Sequence, residues 1–569
     1  MMLPDVNPGL VLLLGGLLVP LIRGPLRYAW LLALPAVALA LLIDLPHGSY
    51  GHLTLMGQSL VTLRVDALSF VFSLIFLIAA LLMAIYALHE RDTMQHVAGM
   101  VYAGAAVAAC LAGDLLTLFI YWELTAVASV FLIWARRTER AYRVGMRYLL
   151  IQVASGLLLL AGAAMQVRAT GSLSFDHIGL DAPGGWLIFL AFGIKCAFPL
   201  LHNWLQDAYP EATATGTVVL SAFTTKLAVY ALARGYAGTE YLIWIGAVMT
   251  AFPIFYAVIE NDLRRVLAYS LNNQLGFMVV GIGIGTELAL NGTAAHAFCH
   301  ILYKALLFMS MGAVLLRVGT VNGSELGGLY KSMPWTTVFC VIGAASISAF
   351  PLFSGFVSKS MIISAAAKQA DLWWVVVMLL FASAGVFHHS GIKIPYFAFF
   401  AHDSGKRCKE APLNMLIAMA AAAALCIGIG VYPAPLYALL PFSVEYAPYT
   451  LSHVVTQLQL LMFSALAFTV MMRTGIYPPE LRSINLDTDW LYRRLAPALA
   501  SSVVAFGAST TALVRRWLAV LWRQLDVHVL AQARPGGRLV VTWRSGTMLW
   551  WATTAVAAVV LIGLLRQAA

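Results

Sequence analysis

The chain has 569 residues, of which 61% are hydrophobic and only 11% are charged. Soluble domains carry about 25% charged residues, and many apolar runs here exceed the ~20 residues that span a bilayer core. These values exclude a soluble globular domain and predict an all-α polytopic membrane protein. The runs do not alternate with the period of two that a β-barrel needs.

The formal net charge is +10, but the basic residues lie in short connections between apolar runs. The clusters are Arg23 with Arg27; Arg136, Arg137, Arg140, Arg143 and Arg147; Arg264 with Arg265; and Lys406, Arg407 and Lys409. This bias is typical of cytoplasmic loops, so we expect no nucleic acid partner. The six cysteines show no CxxC spacing, and nothing indicates an iron–sulfur or haem cofactor.

Fifteen apolar ranges predict about 14 transmembrane core helices, because one or two of the ranges are expected to be re-entrant, and one C-terminal anchor is predicted near residues 547–566. The core ranges are 9–22, 28–44, 66–88, 98–112, 114–134, 145–167, 186–205, 214–236, 240–259, 265–285, 293–317, 335–365, 372–400, 413–432 and 452–472.

The chain is divided by this pattern into four parts. Residues 1–97 hold N-terminal transmembrane helices, 98–400 the functional core, 401–473 C-terminal core helices, and 474–569 a surface helix with the terminal anchor. Residues 490–531 place arginines beside leucine and tryptophan, which is typical of an amphipathic helix lying along a membrane surface or a partner. An ordinary cytoplasmic tail is the alternative.

Glu123 is the first ionisable residue inside an apolar span, in the run Tyr121-Trp122-Glu123-Leu124. A carboxylate there needs a basic partner or becomes neutral. We predict that Glu123 pairs with Lys195 and that the pair opens and closes as protons pass. A static ion pair that locks two helices is the alternative.

Two lysines lie in Gly-Ile-Lys runs that precede a proline: Lys195 before Pro199, and Lys393 before Pro395. A lysine at the centre of a transmembrane helix costs roughly 2.5–3.5 kcal/mol on insertion scales, and a proline breaks or kinks the helix. We therefore predict two broken spans in corresponding positions of two repeats, where transporters often place their sites.

Lys226 is a third lysine in mid-span, where snorkelling to the interface is the alternative to a functional role. The densest group is His296, His300 and Lys304, whose spacing of four residues puts them on one helical stripe. No metal is expected, because Lys304 would repel a cation and no carboxylate lies between the histidines. We predict a proton relay, with packed core histidines as the alternative.

Four further residues are candidates on the same grounds. His389 precedes Lys393 by four residues and can share a helical face with it. Lys359 is either part of the path or an interfacial lysine with a structural role. His202 and Asp207 line an access path or cap a helix. The sequence holds no Walker loop or dinucleotide-binding motif, so we expect a transporter subunit rather than an enzyme, without cofactors.

Five segments, spread over most of residues 60–475, carry a family resemblance as a set. They are residues 192–195, 199–208, 261–270, 296–308 and 350–356. Together they resemble the proton-conducting antiporter family shared by complex I and the Mrp-type sodium/proton antiporters.

The resemblance implies two inverted helical repeats, each with a broken helix that bears a lysine, and a polar axis along the membrane midplane. It also implies that Glu123 and Lys195 are the family's glutamate–lysine pair, and that Lys393 is the terminal lysine of the second repeat. The connecting relay would consist of Lys226, His300 and Lys304.

Within this family, residues 389–397 and 486–493 are similar to the D-type subunits of the Mrp-type antiporters. The tail after Asp489 is longer than in a minimal D-type subunit. Its surface helix and anchor resemble the lateral arm of the distal antiporter-like subunit of complex I.

The sequence thus predicts a multi-pass protein of a bacterial inner membrane, namely the proton-translocating subunit of a multisubunit Na⁺/H⁺ antiporter. The expected partners are the other subunits of that hetero-oligomer, and the transported ions are protons and Na⁺. The alternatives are a proton-pumping subunit of a complex I-like NADH–quinone oxidoreductase, a module serving hydrogenase or bicarbonate-uptake chemistry, and a membrane scaffold with inert buried charges.

Overall fold

The structure is a computed structural model that describes residues 6–55, 57–482, 485–541 and 543–567. Within these ranges it is helical apart from one antiparallel hairpin, β1 (Gly48–Leu55) with β2 (Gln58–Val65), paired from Gly48↔Val65 to Leu55↔Gln58. Twelve of the described helices are long and apolar enough to cross a membrane, and three shorter ones are also apolar. The predicted all-α polytopic membrane fold is confirmed.

Ten helices precede residue 240. They are α1 (Pro8–Leu18), α2 (Pro25–Asp44), α3 (Ala67–Tyr86), α4 (Thr93–Cys110), α5 (Leu115–Trp134), α6 (Glu139–Thr170), α7 (Gly185–Lys195), α8 (Asn203–Ala208), α9 (Ala214–Ala222) and α10 (Thr224–Gly235).

Nine more complete the bundle. They are α11 (Tyr241–Ile259), α12 (Leu263–Ile284), α13 (Glu287–Val318), α14 (Pro334–Ile347), α15 (Ser354–Ala367), α16 (Trp373–Val386) with its π-helical continuations Phe387–Lys393 and Tyr396–Phe400, α17 (Leu413–Val431), α18 (Ala434–Tyr437) and α19 (Leu451–Thr474).

The chain divides into two compact units, Met1–Asn485 and Leu486–Ala569. The second unit consists of α20 (Ala496–Gln532), entered through a π-helical turn at Leu491–Leu495, and α21 (Ser545–Gln567). These helices cover the segments expected to form the amphipathic helix and the anchor. The finer division into four parts stays a prediction.

Aspartate and threonine side chains begin many of the spans. Asp66 accepts the backbone N–H of Ser69 at 2.9 Å, and Asp114 accepts that of Thr117 at 2.7 Å. Such caps contribute about 1 kcal/mol each, and they satisfy N–H groups for which lipid offers no acceptor. Polar caps therefore set where the apolar runs become helices.

Two membrane helices are broken at the same four-residue sequence, Ala-Phe-Pro-Leu. It occurs at residues 197–200, between α7 and α8, and again at residues 349–352, between α14 and α15. The alanine and the leucine of each copy have left-handed φ angles: Ala197 60°, Leu200 71°, Ala349 56° and Leu352 72°. Left-handed backbone costs a non-glycine residue about 1–2 kcal/mol. The same strain at equivalent positions identifies the corresponding helices of the two halves.

The predicted break at Lys393 is wrong. Residues 373–400 form one uninterrupted helix, because π-helical turns on both sides of Pro395 accommodate the backbone group that lacks an N–H. The predicted single span 335–365 is instead the second broken helix. The counterpart of the helix that carries Lys195 is therefore the α14–α15 pair, and the lysine in that pair is Lys359.

One end of the bundle, which we call the basic face, collects most of the arginines and lysines of the loops. Hydrogen bonds from Arg136 to the Pro210 carbonyl and from Arg264 to the Ala212 carbonyl, both 2.9 Å, tie its loops together. Arg23, Arg27, Arg91, Arg137, Arg140, Arg143, Arg265, Arg317, Lys331, Lys406, Arg407 and Lys409 also belong to these loops or to helix ends beside them. The positive-inside rule predicts that this face is cytoplasmic.

The native cysteines provide a test of this orientation. Cys408 is partly exposed in the loop after residue 400, at the basic face, and the other five cysteines are buried. We expect a membrane-impermeant maleimide to label the chain in inverted membrane vesicles but not in right-side-out vesicles. Cys408→Ser should remove the label. Labelling that needs Cys408 and occurs only from the outside would reverse the orientation.

Candidate functional site

Five lysines lie inside the bundle with at most 2% of their surface exposed. They are Lys195, Lys226, Lys304, Lys359 and Lys393, from α7, α10, α13, α15 and the π-helical segment after α16. Within the described part of the chain, only Lys393 forms an ion pair, with Glu480. Buried charges in proteins are normally paired, so four buried lysines without a carboxylate partner are a feature that stability alone does not explain.

Lys195 ends α7, directly before the first break. Its Nζ donates to the Trp122 carbonyl at 2.5 Å and to the Thr125 Oγ1 at 3.0 Å, and it lies 4.4 Å from the centre of the Trp122 ring. The indole Nε1 of Trp122 donates to Ser155 Oγ at 3.0 Å. The lysine is thus held by polar atoms and an aromatic face of α5 rather than by an acid.

Glu123 lies near Lys195 without forming an ion pair with it. Their charges interact across a longer distance, and Glu123 Oε1 has no hydrogen-bond partner within the chain. A glycine in α6 makes room for the carboxylate, since a Cβ on Gly156 would overlap Glu123 Oε1. The Glu123 carboxylate and the Lys195 ammonium group are therefore separated in this structure.

A kink at Phe223, between α9 and α10, positions Lys226. The Ser221 carbonyl accepts a hydrogen bond from Lys226 Nζ at 2.6 Å. The side chain is fully buried, which excludes snorkelling to the interface. Its charge acts on His300 and Lys304 of α13, so this lysine connects the first half of the bundle to the histidine stripe.

The predicted stripe on α13 is present, and its members differ in their contacts. His296 Nδ1 lies 3.2 Å from Ser358 Oγ, and its Nε2 lies 3.4 Å from the hydroxyl of Tyr303. Both ring nitrogens of His300 and the Nζ of Lys304 are buried without a hydrogen-bond partner within the chain. Packed structural histidines are almost always satisfied, so His300 and Lys304 fit a path that water enters.

Lys359 lies in α15, after the second break. Its Nζ donates a hydrogen bond at 3.0 Å to the carbonyl of Ile347, the last residue of α14. The same Nζ lies 5.1 Å from the centre of the Phe277 ring. Its charge acts on His296. Lys359 is buried, not interfacial, and it occupies the break in the second half as Lys195 does in the first.

His389 is fully buried and precedes Lys393 by four residues. Its Nδ1 is 2.9 Å from Ser390 Oγ. Lys393 Nζ donates to the carbonyls of Ala257, Val258 and Glu260 at 3.2, 2.7 and 2.6 Å, and lies 2.9 Å from Glu480 Oε1.

Two expected residues lie outside this axis, and one relevant residue was missed. Asp207 pairs with Arg147 at 2.8 Å at the basic face, and the His202 ring packs 4.6 Å from that of Phe252. Sequence reasoning did not single out Glu480, because it lies in a polar, turn-rich segment where an acid is unremarkable. Its position after Tyr477-Pro478-Pro479, a rigid turn, was the available signal.

Proteins of known family match the region that holds Glu123, Lys195, Lys226, the stripe on α13 and Lys359. Residues 112–388 match the family described as NADH:quinone oxidoreductase/Mrp antiporter, transmembrane. The chain is 26% identical over 419 residues to hydrogenase-4 component B of Escherichia coli, covering 64% of this chain and 62% of that protein. It is 31% identical over 315 residues to the D-type subunit of the Na⁺/H⁺ antiporter of Alkalihalophilus pseudofirmus, covering 52% and 63%. Each alignment spans less than two thirds of the relative.

The fold is similar to that of a chain of the membrane-bound sulfane sulfur reductase, an archaeal respiratory membrane complex. The TM-score is 0.71 at 22% identity, and the match covers 99% of this chain and 100% of the other. At this identity the likeness establishes the fold. The family resemblance drawn from the sequence is confirmed.

The glycine beside Glu123 generates a prediction about packing. Gly156→Ala should lower the unfolding temperature, because the new Cβ collides with the buried carboxylate and overpacking costs about 1–3 kcal/mol. Gly99→Ala in α4 is the matched control, since a Cβ there meets nothing within 4 Å. Fluorescence-detected thermal unfolding of the purified protein measures both. Equal effects of the two substitutions would contradict the assigned fit.

Proposed function

We propose that the chain is a proton-translocating subunit of a multisubunit Na⁺/H⁺ antiporter in a bacterial inner membrane, and the match of residues 112–388 to the family described as NADH:quinone oxidoreductase/Mrp antiporter, transmembrane, supports this proposal. The observation that carries this proposal is the row of buried lysines and histidines, most of them without a counter-ion.

The cost of burying charge makes this row suited to moving protons. An ammonium ion taken out of water costs several kcal/mol unless a carboxylate compensates it. Passing the proton from one lysine to a neighbouring neutral group relieves that cost at one position and recreates it at the next. Similar groups in series therefore exchange a proton between states of similar free energy.

The electrostatic interactions within the row are consistent with one order of transfer. Glu123 interacts with Lys195, Lys226 interacts with His300 and Lys304, and the charges of Lys359 and Lys393 reach His296 and His389 respectively. Ring centres of His296 and His300 are 6.2 Å apart. Gaps of this size between polar groups are bridged by water in protein interiors.

Glu123 is suited to control entry to the row. When its carboxylate approaches Lys195, it stabilises the charged lysine and holds the proton there. When the two are apart, as in this structure, the ammonium is held only by neutral acceptors, and release toward Lys226 becomes easier. The open space at Gly156 lets the carboxylate occupy the distant position.

The transported cation and the partners follow from the relatives. A component of a Na⁺/H⁺ antiporter is among them, so Na⁺ is the proposed counter-transported ion and the remaining antiporter subunits are the proposed partners. The chain itself is proposed to act as a transporter subunit and not as an enzyme, without a cofactor of its own.

A redox-driven complex is the second candidate. Hydrogenase-4 component B aligns with a larger share of this chain than the antiporter relative, and the respiratory complex chain matches both units of the fold. Purification of the tagged chain from native membranes distinguishes the candidates. Co-purifying flavin and iron–sulfur absorbance would favour the redox complex, and subunits without such chromophores would favour the antiporter.

Replacing the axis lysines tests the proposed function. Lys195→Ala, Lys359→Ala and Lys393→Ala should each abolish Na⁺-dependent proton flux in inverted vesicles, because each removes a buried lysine that its neighbours in the row cannot replace. The assay is dequenching of a pH-sensitive dye, and the amount of assembled complex is checked by size-exclusion chromatography. Lys368→Ala, at the exposed end of α15, is the control and should keep wild-type flux. Normal flux in the three buried variants would refute the proton path.

A further inference from the structure

The loop after α19, residues 475–482, is fastened over the Lys393 end of the axis. The Tyr477 N–H donates to the Met471 carbonyl at 3.1 Å, and the Tyr477 ring stacks on His388 with centres 5.6 Å apart and planes inclined by 9°. At the other end of the loop, Arg482 forms an ion pair with Glu325.

These two attachments place Glu480 inside the protein. Its side chain is only 6% exposed and lies 2.9 Å from Lys393 Nζ. Glu260, in the connection between α11 and α12, is the further charged residue that acts on both members of the pair. It is buried, and its Oε2 lies 3.7 Å from Arg265.

Lys393 does not need Glu480 to complete its hydrogen bonds. The ammonium group has three N–H donors, and the carbonyls of Ala257, Val258 and Glu260 already accept hydrogen bonds from Nζ. A lysine that served only to cap the end of α11 would be satisfied by these carbonyls. The three carbonyls are thus enough for a structural role of Lys393. The Glu480 carboxylate adds a proton acceptor that such a role does not require.

Several polar side-chain atoms around the Lys393–Glu480 pair have no hydrogen-bond partner within the chain. His388 Nε2, His389 Nε2 and the Tyr477 hydroxyl are all buried without a hydrogen-bond partner within the chain. Burial raises the pKa of the Glu480 carboxyl, and Lys393 opposes this only in part. Burial thus favours the neutral form of the Glu480 carboxyl.

We propose that Glu480 is the proton carrier that follows Lys393, so that His389, Lys393 and Glu480 form a branch of the path leading to the basic face beneath the 475–482 loop. This inference rests on the proposed function and names a further residue for it.

The transfer is a simple exchange. The Lys393 ammonium gives one proton to the Glu480 carboxylate, which leaves a neutral amine beside a carboxylic acid. The acid then releases the proton to water at the basic face, where the neighbouring Arg482 is exposed. His389, after taking a proton from the Lys304 side of the row, gives that proton to the neutral Lys393 amine and returns to a neutral imidazole. One proton has then moved from the row to the basic face, and Lys393, Glu480 and His389 are back in their starting states; the sequence runs in either direction.

The test measures Na⁺-dependent proton flux in inverted vesicles that contain the assembled complex. A positioned proton carrier contributes roughly 10²–10⁴-fold to a transfer, so Glu480→Gln should reduce the flux by about tenfold or more. Glu480→Asp keeps a carboxyl group and should retain more flux than Glu480→Gln, with its pH profile displaced from that of the wild type.

A matched control separates proton transfer from loop attachment. Glu325→Gln breaks the ion pair with Arg482 without touching Lys393, and it should change the flux less than twofold. An equal loss in Glu325→Gln and Glu480→Gln would overturn the proposal, because attachment of the loop would then explain both. Wild-type flux in Glu480→Gln beside lost flux in Lys359→Ala would also overturn it while leaving the proposed function intact. No flux in the wild-type complex would refute the function itself.

A chemical readout does not depend on transport. Dicyclohexylcarbodiimide reacts with protonated carboxyl groups in apolar surroundings, and mass spectrometry locates the adduct. Labelling of Glu480 should increase as the pH falls and should exceed that of Glu325, whose side chain is 26% exposed, severalfold. A Glu480 that stays unlabelled at every pH at which the complex is intact would show a permanent ion pair and contradict the proposal.

Discussion

The central constraint on this fold is that lipid offers no partner for a backbone carbonyl freed inside the membrane. The chain frees such carbonyls at two helix breaks and at one kink, and lysines serve them. Lys226 binds the Ser221 carbonyl at the kink, Lys359 binds the Ile347 carbonyl at the second break, and Lys195 binds a carbonyl of a neighbouring helix beside the first break. The same residues that stabilise the irregular backbone are the ones that carry charge into the membrane.

Four of the five buried lysines have no carboxylate within ion-pair distance among the described residues, and Lys393, beside Glu480, is the exception. In a buried ion pair, losing the charge of one member leaves the other uncompensated, which costs about 3–5 kcal/mol unless the proton passes between the two. Neutral carbonyls and hydroxyls hold an ammonium group, and they also tolerate the neutral amine. A series of lysines on such acceptors can therefore change charge without disrupting the fold, and in the proposed path the acids Glu123 and Glu480 stand at the ends.

Much of this could be predicted from the sequence, and the reasons are local. Hydropathy finds the spans, and a lysine or histidine inside a span stands out against its neighbours, so Lys195, Lys226, His300 and Lys304 were identifiable. The β-hairpin was not, because its short strands carry no long apolar run. Glu480 was not, because only the folded loop brings it to Lys393.

The wrong prediction at Lys393 shows which of two repeated sequences marks a helix break. Gly-Ile-Lys occurs twice, but a lysine followed by proline does not by itself break a helix, since π-helical turns absorb the proline after Lys393. Ala-Phe-Pro-Leu also occurs twice, and there the backbone enters left-handed conformations at the same two positions in both copies. Strain of this kind persists only where the surrounding structure requires it. Lys359 is therefore the counterpart of Lys195 across the two halves, and Lys393 lies in the helix that follows. In the proposed path, His296 connects the stripe on α13 to the second break and His389 connects it to the basic face, so the stripe is the point where these two required routes meet.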